Sequence, residues 1–252
     1  MIDNIKKITQ MTSKTETGHA KNIANAGLLN TYIIQLGTLY KPSNPDLELD
    51  KLQAFYNDAF SAQQKVNTAL PPYTLAVDKR EAVFAPVSKK ITKLRKAYKA
   101  TQDVSQAQLE DFMTIARRLK GLRKGGTAIS PDSEEGTQTQ NSVSQMSYDQ
   151  RTNNFGQLIE LLQNTPNYAP NETEYQVKTL QDEKDKMLQV TQAVADTFIP
   201  LGIARGARNK IMYQDLNNLV DTFNKSKDYL FTILESNSPQ YKAISKIKFR
   251  KA

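Results

Sequence analysis

Residues 40–80 read YKPSNPDLELDKLQAFYNDAFSAQQKVNTALPPYTLAVDKR, and residues 168–208 read YAPNETEYQVKTLQDEKDKMLQVTQAVADTFIPLGIARGAR. A shift of 128 positions lays Tyr40 on Tyr168, Pro42 on Pro170, Leu52 on Leu180, Gln53 on Gln181, Gln64 on Gln192 and Val66 on Val194. Pro72, Ala76 and Arg80 fall on Pro200, Ala204 and Arg208. With Asn25 on Asn153 and Gln35 on Gln163, 11 identities accumulate over about 60 residues without a gap. An identity that low needs a second test, and the apolar spacing supplies it. Leu49, Leu52, Tyr56, Ala59, Gln63, Val66 and Leu70 step by 3 and 4; Val177, Leu180, Lys184, Met187, Thr191, Val194 and Phe198 repeat those steps. A repeat of this kind sets the architecture before any single element does. The pattern predicts two copies of one amphipathic helical segment.

Working outward, each copy divides into four helices. The first spans about Asn22 to Leu36, and again Asp149 to Gln163. The second opens after Asn44-Pro45, where Asn caps free N–H groups and Pro suits the first helical position. Its counterpart opens at Thr173-Glu174-Tyr175-Gln176, which has capping-box spacing. Both run toward proline, Pro71-Pro72 and Pro200, where a lost donor and a steric clash predict a stop or bend. A third helix carries Val83, Val87, Ile91, Leu94 and Tyr98 on one stripe, matched by Met212, Leu216, Leu219, Phe223, Leu230 and Ile233. The fourth starts at the capping box Ser105…Gln108 and buries Leu109, Phe112, Met113, Ala116 and Leu119. Its counterpart opens at Ser238-Pro239 and carries Tyr241, Ile244, Ile247 and Phe249.

These elements predict an all-α fold of two tandem four-helix up-and-down units joined by a linker, since stripes of this kind favour near-antiparallel packing. A duplicated bundle also leaves room for a pseudo-two-fold surface. The alternative is one continuous elongated bundle. Residues 1–18 are expected to be a flexible tail, 19–123 the first unit, 124–147 a flexible linker rich in Gly, Ser, Thr and Gln, and 148–252 the second unit. Limited proteolysis near residues 125–147 is then expected to leave two helical fragments.

The 252-residue chain has 24% charged and 38% hydrophobic residues, suiting a soluble helical protein. It has no Cys, which excludes disulfides and thiolate metal sites and leans toward a reducing, cytoplasmic compartment. The N-terminus lacks the apolar core of a signal peptide. The longest uncharged stretch, Asn22 to Tyr40, contains Asn22, Asn25, Asn30 and Gln35, so it reads as a buried bundle helix and membrane insertion is the weaker alternative.

Charge carries the one functional hint. Lys79–Lys124 holds 13 Lys and Arg against 4 Asp and Glu, a net of +9, while the whole chain is +8. Lys89, Lys93 and Lys96 lie opposite the apolar stripe of their helix. Arg117, Arg118, Lys120, Arg123 and Lys124 crowd the end of the next. Such a face attracts phosphate backbones or anionic membranes, and it equally suits a solvated helix C-terminus. The corresponding part of the second copy is mixed in sign.

Other polar positions read as structural. Gln63 and Thr191 occupy the same interior position and are expected to fix register. Arg80 and Arg208 follow the proline and are expected to cap helix carbonyls or meet a carboxylate. Tyr40-x-Pro42 and Tyr168-x-Pro170 mark a repeated turn. The single His, His19, is read as lying in the tail, where no scaffold would position it as a general base. No Glu-x-x-His pair or phosphate-loop motif occurs. The reading is a non-catalytic binding or scaffolding protein with a protein partner or self-association and no cofactor or metal. Nucleic-acid or anionic-surface binding through the basic face is the alternative, and membrane activity a further one.

Overall fold

The computed structural model describes residues 14–122 and 146–251, with side chains from residue 18. The described elements are all helical. In chain order they are α1 (Lys14–Leu36), α2 (Leu49–Phe84), α3 (Val87–Lys99), α4 (Gln106–Leu119), α5 (Tyr148–Gln163), α6 (Val177–Asn209), α7 (Leu219–Ile233) and α8 (Pro239–Ser245). α6 runs into one π-helical turn over Lys210–Gln214. α1 begins inside the segment expected to be a tail, and residues 1–13 lie outside the described residues, as does most of the expected linker.

Two compact units organise the chain. Unit 1 is residues 1–72 with 199–252, and unit 2 is residues 73–198. The chain crosses between them inside α2 and again inside α6. In unit 1, Ile23, Ala26, Leu29 and Ile33 of α1 share a core with Leu52 and Ala59 of α2, with Met212, with Leu219, Phe223 and Leu230 of α7, and with Ile244 and Phe249. In unit 2, Phe84 of α2 and Ile91, Leu94 and Tyr98 of α3 share a core with Phe112 and Leu119 of α4, Phe155, Leu158 and Leu162 of α5, and Leu180 and Met187 of α6.

The long helices did not end where proline was expected to end them. α2 continues through Pro71 and Pro72 to Phe84, and α6 through Pro200 to Asn209. The physical reason lies in exposure. All three prolines are exposed, as are Asn67, Thr68 and Asp196, whose carbonyls lose the i+4 donor, so this stretch of each helix is open to water in place of the lost bond. The break comes instead at Ala85-Pro86, and the stripe read as one helix from Val83 to Tyr98 is split between α2 and α3.

Burial repeats along the chain with two registers. Leu47, Leu52, Ala59, Val66, Ala76 and Phe84 are buried, and so are the residues 128 positions on: Tyr175, Leu180, Met187, Val194, Ala204 and Met212. Along α1 and α5 the matching shift is 129: Ile23, Asn25, Ala26, Leu29 and Ile33 answer to Thr152, Asn154, Phe155, Leu158 and Leu162. Asn25 therefore corresponds to buried Asn154, and the sequence match to exposed Asn153 is corrected, as is Gln35 with Gln163. The one-residue difference falls in the connections. The first turns through Gly37 at φ 54°, the second through Asn167 at φ 63°, a left-handed conformation that Gly and Asn adopt most readily.

Each connection is closed by the same bond. Tyr40 Oη donates to Leu47 O at 2.8 Å, and Tyr168 Oη donates to Tyr175 O at 2.7 Å. A 3₁₀ turn follows each tyrosine, Pro45–Leu47 in one case and Thr173–Tyr175 in the other, and a long helix starts two residues later. Asn44 accepts from Asp46 N, capping this turn rather than the long helix. The Ser105/Gln108 capping box and the Ser238 cap form as expected. Several stripe positions are exposed instead of buried: Met113, Leu70, Phe198, Ile233 and above all Leu216, at 95%.

Candidate functional site

The basic face belongs to unit 2 and is built on α3. This helix carries Lys89, Lys90, Lys93, Arg95, Lys96 and Lys99 and no acidic residue in 13 positions. Its apolar stripe, Val87, Ile91, Leu94 and Tyr98, is buried. A helix with one side so fixed turns its remaining residues to water. Lys89, Lys93, Arg95 and Lys96 are exposed accordingly. Lys90 turns away from this face and pairs with Glu183 of α6.

α4 reaches the same face from its C-terminus. Its last turn closes in a Schellman arrangement: Gly121 N donates to Arg118 O and Leu122 N to Arg117 O, both at 3.0 Å, with Gly121 at φ 71°. This fixes Lys120 at the helix end, and its ammonium donates to Thr92 Oγ1 of α3 at 2.7 Å. The Thr92 hydroxyl in turn donates to Ser88 O at 3.1 Å. Burial, and then the nearby Arg95 charge, push the Lys120 amine below its usual range. Two helices thus bring Lys120 and Arg95 together.

Of the residues marked in the sequence, Lys89, Lys93 and Lys96 form the exposed stripe and Lys120 joins it. Arg118 is exposed, whereas Arg117 is half-buried and donates to Thr114 Oγ1 at 3.3 Å. Arg123 and Lys124 lie outside the described residues. Arg95 and Thr92 were missed. The spacing of Thr92 and Arg95 (i, i+3) is visible in sequence, but the arrival of Lys120 at Thr92 depends on how α4 packs on α3. The corresponding helix of unit 1, α7, carries two Lys and two Asp.

His19 is the main correction among the polar residues. It lies on α1, 2% exposed, with Nδ1 at 2.6 Å from Tyr213 Oη. The sequence reading places it in the tail with no scaffold, but its ring partner lies 194 positions away on Tyr213. Asn22 Nδ2 donates to Arg250 O at 2.7 Å and Arg250 N donates to Asn22 Oδ1 at 3.1 Å. Asn25 Nδ2 donates to Lys248 O at 2.8 Å. The C-terminal residues Lys248–Arg250 are thereby fastened along α1. Among the described residues no group of three or more His, Asp or Glu could hold a metal.

The matched arginines meet different partners. The Arg80 guanidinium lies 3.9 Å from the Tyr148 ring centroid, a cation–π geometry. Arg208 is 2% exposed and donates to Asn209 Oδ1 at 3.0 Å and to Gln63 Oε1 at 3.5 Å. Gln63 is therefore a partner of Arg208 besides bonding Asn67, and Thr191 bonds back to Met187 O. Among the described residues no helix is long and apolar enough to cross a membrane. Comparison with family models, with curated proteins and with solved structures finds no match for this chain.

Proposed function

We propose that the chain is a non-catalytic helical binding protein, formed by duplication of a four-helix segment, that engages a protein partner through apolar positions presented twice. The observation carrying this reading is a pair of matched exposures. Phe60 and Leu188, 128 positions apart, are 45% and 53% exposed, and Leu75 and Ile203, at the same separation, are 59% and 69% exposed. Large apolar side chains left in water at equivalent positions fit contact surfaces better than core. The duplication is supported by the paired tyrosine bonds, Tyr40 to Leu47 and Tyr168 to Tyr175. It is supported further by the unit boundaries, which cut the two long helices at equivalent places, after Pro72 and after Phe198. On this reading each unit combines the first part of one copy with the last part of the other.

The test is capture with the full chain beside two variants, Phe60→Asp and Leu188→Asp. Both positions are exposed, so the variants should keep the helical circular-dichroism signal and the melting temperature. The expected result is a protein recovered by the native chain and lost from each variant. Equal recovery by all three, or none by the native chain, refutes this reading.

A second reading, polyanion binding through α3 and the end of α4, is favoured by one observation: the Lys120–Thr92 contact that sets Lys120 beside Arg95. Like charges gathered in this way repel one another, and an anionic ligand relieves that repulsion.

A further inference from the structure

We propose that the outer face of α3, completed by Lys120 from the end of α4, holds the phosphate backbone of a duplex nucleic acid. The inference rests on the second reading above and names its ligand.

Lys89, Lys93 and Lys96 recur at i, i+4 and i+7, which sets them on one line about 10 Å long. Lys120 and Arg95 stand beside this line, so the cations form a patch drawn from two helices. The patch is held in shape from beneath. Tyr98 and Phe112 stack between α3 and α4 at 5.1 Å, both fully buried. Lys120 is further held by Thr92. A positioned set of cations spends less conformational entropy on meeting a regular row of phosphates than free lysines would.

The absence of other features on the described part of this face selects the ligand. Single-stranded binders stack bases on exposed aromatics, and the aromatic residues of α3 and α4, Tyr98 and Phe112, are buried. Peripheral helices that enter a bilayer present Leu, Phe or Trp between their cations. No large apolar side chain of α3 is exposed, and on α4 only Met113 is. A duplex backbone asks for neither: phosphate contacts position a protein without reading bases.

The experiment is fluorescence anisotropy of the full chain with a labelled 20-base-pair DNA duplex at about 50 and 200 mM salt. Four phosphate contacts predict a loss in affinity of about a hundredfold across that range. The triple variant Lys89→Glu/Lys93→Glu/Lys96→Glu should abolish binding at the lower salt. Lys120→Met should weaken it several-fold and lower the logarithmic salt slope by about one. A control, Lys51→Glu/Lys65→Glu/Lys225→Glu, changes net charge equally at exposed positions of unit 1 and should retain most of the binding.

Heparin and vesicles of anionic phospholipid form parallel arms. Face-dependent binding of heparin or vesicles with the duplex left free overturns the duplex assignment and leaves the polyanion reading standing. Absence of binding in all three arms overturns both. Equal losses in the α3 triple and in the control reduce any binding to net charge and overturn the site. If the α3 triple fails to fold by circular dichroism, the Lys120→Met slope decides: an unchanged slope overturns the proposal.

Discussion

In unit 1 the polar side of α1 grips a non-helical segment, while in unit 2 the equivalent side of α5 grips the end of a helix. Asn22 exchanges two hydrogen bonds with the backbone of Arg250. At the matching position Arg151 donates to Phe84 O at 2.8 Å, the carbonyl at the end of α2. His19 meets Tyr213, and its counterpart Tyr148 stands edge-on to Phe84 at 4.8 Å under the Arg80 guanidinium. The same burial pattern therefore accommodates two polar solutions. An amide, which both donates and accepts, suits a backbone that offers a free N–H and a free C=O, and a guanidinium suits a helix end that offers only carbonyls.

Asn25 and Asn154 sharpen the difference because the residue is the same. Asn25 has Lys248 O as its acceptor, whereas Asn154 Nδ2 is buried without a partner among the described residues. An unpaired buried amide costs free energy that a paired one does not.

The largest effect should come from cutting the chain between α4 and α5. An engineered protease site within residues 124–147, cleaved in the folded protein, should leave both fragments eluting together with unchanged helicity. Each compact unit takes residues from both sides of that cut. Elution as two separately folded fragments would break the comparison at its root, because the units would then be the two halves of the sequence.

A smaller, signed effect should separate the two asparagines. Asn25→Leu removes the donor to Lys248 O and should destabilise by about 1–2 kcal/mol. Asn154→Leu removes an unpartnered Nδ2 at the cost of one 3.3 Å bond from Gln150, and should be neutral or stabilising. Urea denaturation of the two variants checks this, and equal losses would mean that Asn154 has an acceptor equivalent to Lys248 O.

The smallest effect belongs to a matched pair of glycines. A Cβ at Gly27 would meet Tyr56 Cε2 at 3.0 Å, while one at Gly156 would meet only the flexible Lys184 side chain, at 3.5 Å. Alanine is favoured over glycine inside a helix by up to about 1 kcal/mol. Gly156→Ala should therefore raise the melting temperature, and Gly27→Ala should lower it because the Tyr56 ring must shift. Two changes of the same sign would show that α1 and α5 approach their neighbours alike.

Much of the helical reading was legible because it rests on local rules. The Ser105/Gln108 box, the Ser238 cap, the tyrosine turns and the stripe of α3 each depend on residues within two helical turns of one another. The basic face was legible in part. Lys89, Lys93 and Lys96 follow from spacing on one helix, but Lys120 reaches Thr92 across 28 positions, beyond what any period reports. His19 was misjudged for the same reason, since its partner Tyr213 is 194 positions away.

The sequence by itself determined that the chain is helical, where most helices begin, and that residues 40–80 and 168–208 share one spacing of apolar positions. Those are consequences of backbone periodicity and of capping chemistry, which act over a few residues. Tertiary structure alone decided that α2 and α6 run past their prolines. It also decided that α1 and α5 match with a shift of 129, and that unit 1 draws on both ends of the chain while unit 2 is its middle. The physical reason is solvent exposure. A proline's lost hydrogen bond is tolerable where water replaces it, and burial is set by which surfaces meet, a property of the whole packed chain.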